Sequence, residues 1–329
     1  MLRFIFRRTL IMIPTVLIIS FVSFVLIQLP PGNYATALAS QMASNGETLD
    51  QTQIAAIEAR YGLGEPFLVQ YVHWIGGILH GDLGRSFVYN APVSGLIMDR
   101  LPATLLIAVV TLAFTWLLAF VAGLVSATKQ YSVPDYALST VAFIGLATPS
   151  FLLALILMYL GSRYFGISVG GLFSAEWAES GWNLGKLLNL LSHLWAPVLV
   201  IGLAHTAGLF RIFRANLLDE VPKPYTIAAR ARGLTERRIL LRYPVPIALN
   251  PFISTVGWMI PAVITGDILV GKVLALRTTG PLLLEALLAQ DPFLAGGIIL
   301  LVSVLTVIGT LVSDIILAAV DPRVRLRTA

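Results

Sequence analysis

The residue types that perform covalent chemistry are sparse and scattered in this 329-residue chain. It has no cysteine, and its four histidines stand far apart, at His73, His80, His193 and His205. Neither an HExxH zinc motif nor a GxxxxGK[ST] phosphate-binding loop occurs in the sequence. Thiolate chemistry, a metal centre and nucleotide hydrolysis therefore have no residues to rest on. The sequence predicts a chain that is not an enzyme and binds no cofactor of its own.

One segment of the sequence has a spacing that indicates contact with another protein. After the breaking run Val221–Pro224 comes a stretch of good helix formers, YTIAARARGLTERRILL, interrupted only at Gly233. Small side chains at Ala228 and Ala229 allow another surface to come close to the backbone, and arginines surround them. We therefore expect a short helix over about residues 222–241 that docks into a groove on a partner protein. The alternative is an ordinary basic loop that rests on anionic lipid.

Composition shows what must hold this segment. Hydrophobic residues make up 57% of the chain, charged residues only 12%, and the mean hydropathy is +0.85. Such a chain cannot cover itself with polar surface in water, which excludes soluble enzymes, DNA-binding domains and disordered scaffolds. Because an apolar run of roughly 20 residues crosses a bilayer as a helix, we expect an all-α integral membrane protein with six spans, at Thr9–Leu29, Leu101–Thr128, Tyr136–Ser162, Leu187–Phe210, Tyr243–Gly266 and Pro292–Ser313.

The fourth and fifth predicted spans carry histidines and several prolines, and we expect them to be irregular or kinked. Orientation follows from the basic residues. With the N-terminus in the cytoplasm, 15 of the 22 basic residues fall in inner segments. Both termini and the segment around Gly233 are then predicted to be cytoplasmic.

The 30–100 segment is predicted to lie outside the membrane and to contain amphipathic helices. Thr48–Tyr61 has apolar residues at helical spacing, with Thr48 or Asp50 available as the N-cap. Pro66–Leu79 combines a helical period with aromatic residues. The second helix suits either the outer membrane face, as part of a docking surface for an external protein, or a packing elbow over the first span.

The alanine–glycine segment resembles the coupling motif of ABC importer permeases, in which Glu-Ala-Ala is followed by Gly and later by Leu-Pro. Ala228–Ala229 match the alanine pair, Gly233 the glycine, and Pro246, 13 residues beyond Gly233, the final proline. Ile227 stands in place of the glutamate and Val245 in place of the leucine. Because Ile227 replaces the glutamate, the polar cap that this residue gives the helix in the family is not expected here, while the docking role is.

Further stretches are similar to the B-type permeases of dipeptide, oligopeptide and nickel importers, and they extend over nearly the whole chain. They include Arg60–Leu63, Gly81–Ser86, Leu101–Leu105, Thr148–Phe151 and Asp321–Arg323. The resemblance implies a type I ABC importer permease fold, with a cytoplasmic coupling helix between helices 4 and 5. The expected organisation is an N-terminus with the first span at 1–29, the outer segment at 30–100, a permease core at 101–319 and a cytoplasmic tail at 320–329.

The resemblance also implies a site, partners and a location. Contact with an ATPase is expected at Tyr225, Ala228, Ala229, Arg232, Gly233 and Leu234. A polar translocation path is expected to include Thr148, Ser150, Ser254, Thr255 and Asp267. The implied partners are a C-type permease subunit, two ATPases that hold ATP and Mg²⁺, an extracytoplasmic solute-binding protein and membrane lipid, with no nucleic acid, in the inner membrane of a prokaryote.

Two alternatives stay open. The outer turns Gly266–Ile268 and Leu276–Pro281 depart from the family pattern, so the expected cargo is a small peptide, and the alternative is an oligosaccharide or another small solute. An ion-coupled secondary carrier is the alternative of a different class, and such carriers place acidic residues at mid-membrane. Only Asp314 falls within an apolar stretch here, and it stands at the cytoplasmic end of that stretch. This distribution favours a subunit driven by a separate motor.

Overall fold

A computed structural model describes residues 2–28, 34–44, 50–61, 64–264 and 268–320. These residues form helices and connecting turns. The β-pairing among the described residues is one isolated antiparallel bridge between Arg85 and Pro92. The first part of the chain contains α1 Leu2–Gln28, α2 Tyr34–Ser44, α3 Gln51–Tyr61, α4 Phe67–Leu79, α5 Val93–Thr128, α6 Val133–Ala147, α7 Ser150–Leu160 and, after a π-helical turn at Gly161–Phe165, α8 Ala175–Ala178.

The second part begins with the long helix α9, Leu184–Glu220. The remaining helices are α10 Pro224–Ala231, α11 Glu236–Arg242, α12 Pro244–Ser254, α13 Val256–Ile264, α14 Ile268–Val273, α15 Thr279–Leu288 and α16 Pro292–Val320. The predicted all-α class therefore holds for the part of the chain that the structure describes.

Three of the described helices are long and apolar enough to cross a membrane by length and composition, namely Val93–Thr128, Leu184–Glu220 and Pro292–Ala318. Two bent pairs raise the number to five if each pair is one span. They are Val133–Ala147 with Ser150–Phe165, bent by 100°, and Glu236–Ser254 with Met259–Val273, bent by 60°. The apolar stretch Thr9–Val25 of α1 falls at the first predicted span and is shorter than these helices.

The structure corrects two expectations about continuity. The third predicted span, Tyr136–Ser162, is not one helix, because α6 ends at Ala147 and α7 starts at Ser150. Thr148 precedes Pro149, and the residue before a proline is disfavoured in the α region; its backbone is extended, with ψ of 120°. The fourth predicted span, in contrast, lies within a continuous helix of 37 residues. His193 does not interrupt it, since its Nδ1 bonds to the Asn189 carbonyl one turn back, at 2.8 Å.

The described residues divide into two compact units. The first contains the described residues of 2–9, 104–277 and 306–320, and α9 is its central helix, packed against α6, α7 and α12. Aromatic rings from three helices form its core. The Phe213 ring of α9 lies 5.2 Å from Phe120 of α5 and 5.6 Å from Phe252 of α12, and Trp116 of α5 lies 5.0 Å from Phe252.

The second unit contains Leu10–Ala103 and Thr278–Leu305. In it the aromatic residues of α4 pack against α1. Trp74 stacks on Phe24 with ring centroids 5.4 Å apart, and Tyr71 meets Phe21 edge-on at 5.1 Å. The Tyr71 hydroxyl also bonds to Ser20 Oγ at 2.9 Å. This is the arrangement of a packing elbow, one of the two roles considered for Pro66–Leu79.

The start of α3 confirms Asp50 as an N-cap. Its carboxylate accepts hydrogen bonds from the backbone N–H and the hydroxyl of Thr52, at 2.5 and 2.7 Å. The Gln53 side chain accepts in return from the Asp50 backbone N–H at 3.0 Å, which completes a capping box. The pKa of Asp50 is lowered, chiefly by the hydrogen bond from the Thr52 side chain. Thr48, the other proposed cap, lies outside the described residues.

Candidate functional site

The predicted coupling segment is built as two short helices around a glycine turn. Helix α10 begins with Pro224 at its first position, after an extended Lys223 that serves as the N-cap. A proline suits that position, because its fixed φ is helical and the missing N–H is not needed there. The interruption predicted at Gly233 separates α10 from α11.

Gly233 ends α10 in a Schellman motif. Its φ is +75°, in the left-handed region. Its N–H bonds to the Arg230 carbonyl at 3.0 Å, and the Leu234 N–H bonds to the Ala229 carbonyl at 3.4 Å. A Cβ at Gly233 would meet nothing within 4 Å, so backbone conformation, and not space, is what requires glycine here.

Burial sorts the predicted contact residues onto two faces of α10. Thr226 and Ala229 point into the protein, with 1% and 4% of their surface exposed. Ile227, at 55% exposed, and Ala228 point outward. Arg232 and Gly233 are exposed at the end of the helix, and Leu234 is half-buried. The outward residues of α10 thus include small and apolar side chains beside the exposed Arg230, and Ile227 contributes an apolar side chain where the family motif has a charge.

A carboxylate at the end of α9 holds the start of this segment. The Tyr225 hydroxyl donates to Glu220 Oε2, and Lys223 Nζ donates to Oε1 at 2.5 Å. Burial, and then the hydrogen bond to the Glu220 carboxylate, raise the pKa of Tyr225 to about 12. Tyr225, predicted as an ATPase contact, is half-buried, and its hydrogen bond to Glu220 anchors the start of α10 to the end of α9. Sequence reasoning missed Glu220, although the i, i+3 spacing to Lys223 on a basic segment was a usable signal.

An ion pair bridges the two short helices. The Arg230 guanidinium donates from both Nε and Nη2 to the Glu236 carboxylate, the second bond at 2.9 Å. Both side chains are exposed, so solvent and salt screen their attraction. The buried Ile239, 1% exposed, fixes α11 against the protein. The turn between α10 and α11 is therefore held by the packing of Ile239 and by the solvent-exposed ion pair between Arg230 and Glu236.

The arrangement suits docking against another protein. The outward residues Ile227 and Ala228 of α10 are followed along the chain by the exposed arginines Arg232, Arg237 and Arg238. An apolar helix face with a polar border is typical of a helix that enters a groove on another protein. Among the described residues, no group of three His, Cys, Asp or Glu side chains could hold a metal ion.

The predicted path residues lie at the two helix breaks. Thr148 and Ser150 flank Pro149, with Ser150 as the first residue of α7; Ser254 is the last residue of α12, and Thr255 separates it from α13. Three of the hydroxyls bond to backbone carbonyls of their own helices: Thr148 to Ile144, Ser254 to Asn250 and Thr255 to Phe252. Thr255 is 5% exposed, while Ser254 is exposed. Asp267 lies outside the described residues.

Comparison with solved structures identifies the class of fold. A chain of the methionine ABC transporter MetNI, in an inward-facing conformation, aligns with a TM-score of 0.54, covering 69% of this chain and 97% of the other. The two are 16% identical in sequence, so the likeness concerns the fold alone. This fold therefore belongs to the class found in a membrane transporter of the ABC type.

Sequence comparison identifies the family. Residues 119–326 match the model of the binding-protein-dependent transport system inner membrane component, and residues 1–108 match that of the N-terminal part of such membrane components. The oligopeptide transport system permease protein AppB of Bacillus subtilis is 36% identical over 98% of this chain and 99% of its own length. The permease OppB of Haemophilus influenzae is 32% identical over 99% and 100%, and OppB of Escherichia coli K12 is 31% identical over the same shares. The chain belongs to the family of binding-protein-dependent transport system inner membrane components.

Proposed function

We propose that this chain is the B-type permease subunit of a binding-protein-dependent ABC importer for small peptides, and that α10 is its contact with an ATPase. The observation that carries the proposal is the outward apolar face of α10, formed by Ile227 and Ala228 and closed by the turn at Gly233. The peptide cargo is supported by the names of relatives that match over nearly the full chain. Oligosaccharides are the alternative cargo.

The proposed topology has six spans and two cytoplasmic termini. The three long apolar helices, the two bent pairs and the apolar stretch of α1 together supply six candidates. The excess of basic residues in the segments assigned to the inside supports the orientation. In this topology α10 and α11 lie in the cytoplasm, where an ATPase can reach them. The membrane is the inner membrane of a prokaryote.

The proposed assembly supplies what this chain lacks. A C-type permease completes the pore, two ATPases bind ATP and Mg²⁺, and an extracytoplasmic binding protein delivers the solute. Energy then enters as a rigid-body displacement of α10, because a packed helix end moves as a unit and not by gradual deformation. In this assembly the chain's own residues bind the ATPase, hold α10 in place and transmit its displacement. ATP hydrolysis takes place on the partner subunits.

Uptake by the assembled complex in proteoliposomes tests the proposal. Labelled oligopeptide should accumulate only with ATP, the binding protein and an intact phosphate-binding lysine in the ATPase. An excess of unlabelled oligosaccharide should not compete. Uptake by the chain alone, driven by an ion gradient, would contradict the proposal and support a secondary carrier. Competition by the oligosaccharide would leave the assignment as an ABC importer in place and change the assigned cargo from peptide to oligosaccharide.

The variant Gly233→Val tests the role of α10 in the same assay. A β-branched residue at a positive φ costs at least the roughly 1–2 kcal/mol of the left-handed conformation, so the turn should distort. We expect peptide uptake to be lost while the subunit stays in the membrane. Gly95→Val is the matched control, since Gly95 also has open space around it but lies in α5 with an ordinary φ. Equal uptake by the two variants would remove the role assigned to the turn.

A further inference from the structure

A buried polar cluster in the first unit joins three helices at one carboxylate. Asp135, in the first turn of α6, is 3% exposed. Its Oδ1 accepts from the Ser126 hydroxyl and from Arg214 Nε at 2.9 Å. Its Oδ2 accepts from Arg214 Nη2 at 2.8 Å and from the Tyr131 backbone N–H at 2.9 Å. Arg214 Nε also lies 2.8 Å from Ser126 Oγ, so the three side chains contact one another.

The cluster connects elements that are distant in sequence. Ser126 lies near the end of α5, Tyr131 in the turn that follows and Asp135 at the start of α6, whereas Arg214 belongs to α9. The two parallel guanidinium–carboxylate bonds fix the orientation of the partners as well as their separation. A rotation or a slide of α9 therefore has to be followed by the α5–α6 hairpin, or the cluster has to break.

Close backbone approach supports the same connection. A Cβ placed on Gly123 of α5 would lie 2.7 Å from a ring carbon of Phe213, the neighbour of Arg214. Phe213 itself is fully buried. Since close-packed side chains leave little room for relative movement, α5 and α9 have little freedom to slide at this level.

The cluster also lies close to the docking segment along the chain. Arg214 stands six residues before Glu220 on one uninterrupted helix, about 9 Å along its axis at 1.5 Å per residue. Glu220 in turn holds Tyr225 and Lys223 at the start of α10. Two sets of polar contacts, joined by the six-residue stretch of α9 between Arg214 and Glu220, therefore link α10 to α5 and α6.

We propose that the Ser126–Asp135–Arg214 cluster transmits the displacement of α10 to the α5–α6 hairpin, with Asp135 and Arg214 as positioning residues for coupling ATP hydrolysis to transport. The inference rests on the proposed function, since it requires an ATPase that moves α10. It assigns the transmission to one contact. About three turns away along the same two helices, the bond from the Thr115 hydroxyl to the Gly202 carbonyl is a single bond of 3.4 Å and is too weak to impose orientation.

The test is the number of peptides transported per ATP hydrolysed by the assembled complex in proteoliposomes. Asp135→Asn removes the charge that pairs with Arg214, and Arg214→Lys keeps a charge but loses the two-point geometry. We expect transport to fall more than hydrolysis in both variants, lowering the ratio about tenfold, within the 5–150-fold range of typical coupling between sites. Asp135→Glu, which keeps the carboxylate, should recover part of the ratio.

A matched control separates coupling from stability. Thr115→Val removes the weaker bond between the same two helices and should leave the ratio unchanged. A wild-type ratio in assembled Asp135→Asn and Arg214→Lys complexes would overturn the inference, as would an equal fall in Thr115→Val. Should Asp135→Asn fail to assemble, Arg214→Lys decides by the same criterion. Failure of the unaltered chain to assemble with any ATPase would instead overturn the proposed function.

Discussion

Asp135 and Asp291 are two buried carboxylates at the starts of helices, one in each unit, and they are satisfied in different ways. Asp291 is fully buried and precedes α16. Its donors are the Ser86 hydroxyl and the backbone N–H groups of Phe87, Val88 and Leu294, at 2.6, 2.7, 3.2 and 3.0 Å. Asp135 also accepts from a serine hydroxyl and a backbone N–H, but its remaining donors belong to the Arg214 guanidinium.

The difference teaches what each carboxylate can do. The backbone N–H groups around Asp291 are fixed in the chain, so this contact holds a loop to the N-terminus of α16 in one geometry. Arg214 is a long side chain that is 25% exposed, so it can exchange its partner for water. One carboxylate therefore holds a loop to the start of a helix, and the other joins separate helices through an ion pair that water can partly reach.

The largest effect is expected for Asp291→Ala. It leaves the Ser86 hydroxyl and three backbone N–H groups without their acceptor in a buried place, and each unsatisfied buried donor costs about 1–3 kcal/mol. We expect a loss of roughly 3–5 kcal/mol in the free energy of unfolding, partly offset by relaxation and entering water. The measurement is the thermal unfolding temperature of the detergent-solubilised protein.

Asp82→Ala provides the control for that measurement. Asp82 is an exposed carboxylate in the same unit, and its Oδ1 accepts from the Gly84 N–H at 2.8 Å. Its loss should lower the unfolding temperature only slightly. Asp291→Asn, which keeps one acceptor oxygen, should fall between the two. Equal shifts for Asp291→Ala and Asp82→Ala would show that the buried contact adds no stability.

A smaller loss is expected for Asp135→Ala, about 2–3 kcal/mol. Breaking a fully buried ion pair costs roughly 3–5 kcal/mol, because the remaining charge has no solvent. Arg214 can turn toward water here, which reduces that penalty. The same unfolding assay measures the effect, with Arg211→Ala, an exposed arginine one turn earlier on α9, as the control. A larger loss for Asp135→Ala than for Asp291→Ala would reverse the comparison.

The sequence predicts the helices of this protein better than their ends. The second predicted span, Leu101–Thr128, lies within α5, which starts at Val93. The residues before Leu101 include Asp99 and Arg100, and a helix can continue through charged residues once it has left an apolar environment. Hydropathy therefore marks the apolar part of a helix and not its first residue. The break at Thr148 falls before Pro149, but Pro102 and Pro197 lie inside continuous helices, so a proline alone does not mark the end of a helix here.

The turn at Gly233 was predictable because one residue type suits a positive φ. The contacts of the two buried carboxylates were not. Asp135 and Arg214 are 79 residues apart, and Asp291 and Ser86 are 205 apart. No local pattern pairs them, since helix packing brings them together. The outward position of Ile227 was likewise hidden, because a short helix shows which face is buried only when its neighbours are known.

Each of the two units also contains a hydrogen bond between a tyrosine and a glutamate, which is a weaker contact than those of the buried aspartates. Tyr225 donates its hydroxyl proton to Glu220 in the first unit, and Tyr89 donates to Glu285 at 2.6 Å in the second. Burial and the neighbouring carboxylate raise the pKa of both hydroxyls, that of Tyr225 to about 12. Because the neutral hydroxyl is favoured in the folded protein, each pair contributes its full stability below pH 10, the ordinary tyrosine pKa. That contribution is lost as the pH rises through the folded pKa.

The smallest effects are therefore expected for Tyr225→Phe and Tyr89→Phe, about 0.5–1.5 kcal/mol each at neutral pH, the net value of one hydrogen bond. Alkaline titration of phenolate absorbance adds a sharper measurement. The difference between the unaltered protein and Tyr225→Phe should show a group that titrates near pH 12. A difference titration centred at the ordinary value would contradict the anchor between α9 and α10, and with it the first step of the connection from α10 to Arg214. The same result for Tyr89→Phe would leave that connection intact, because Glu285 takes no part in it.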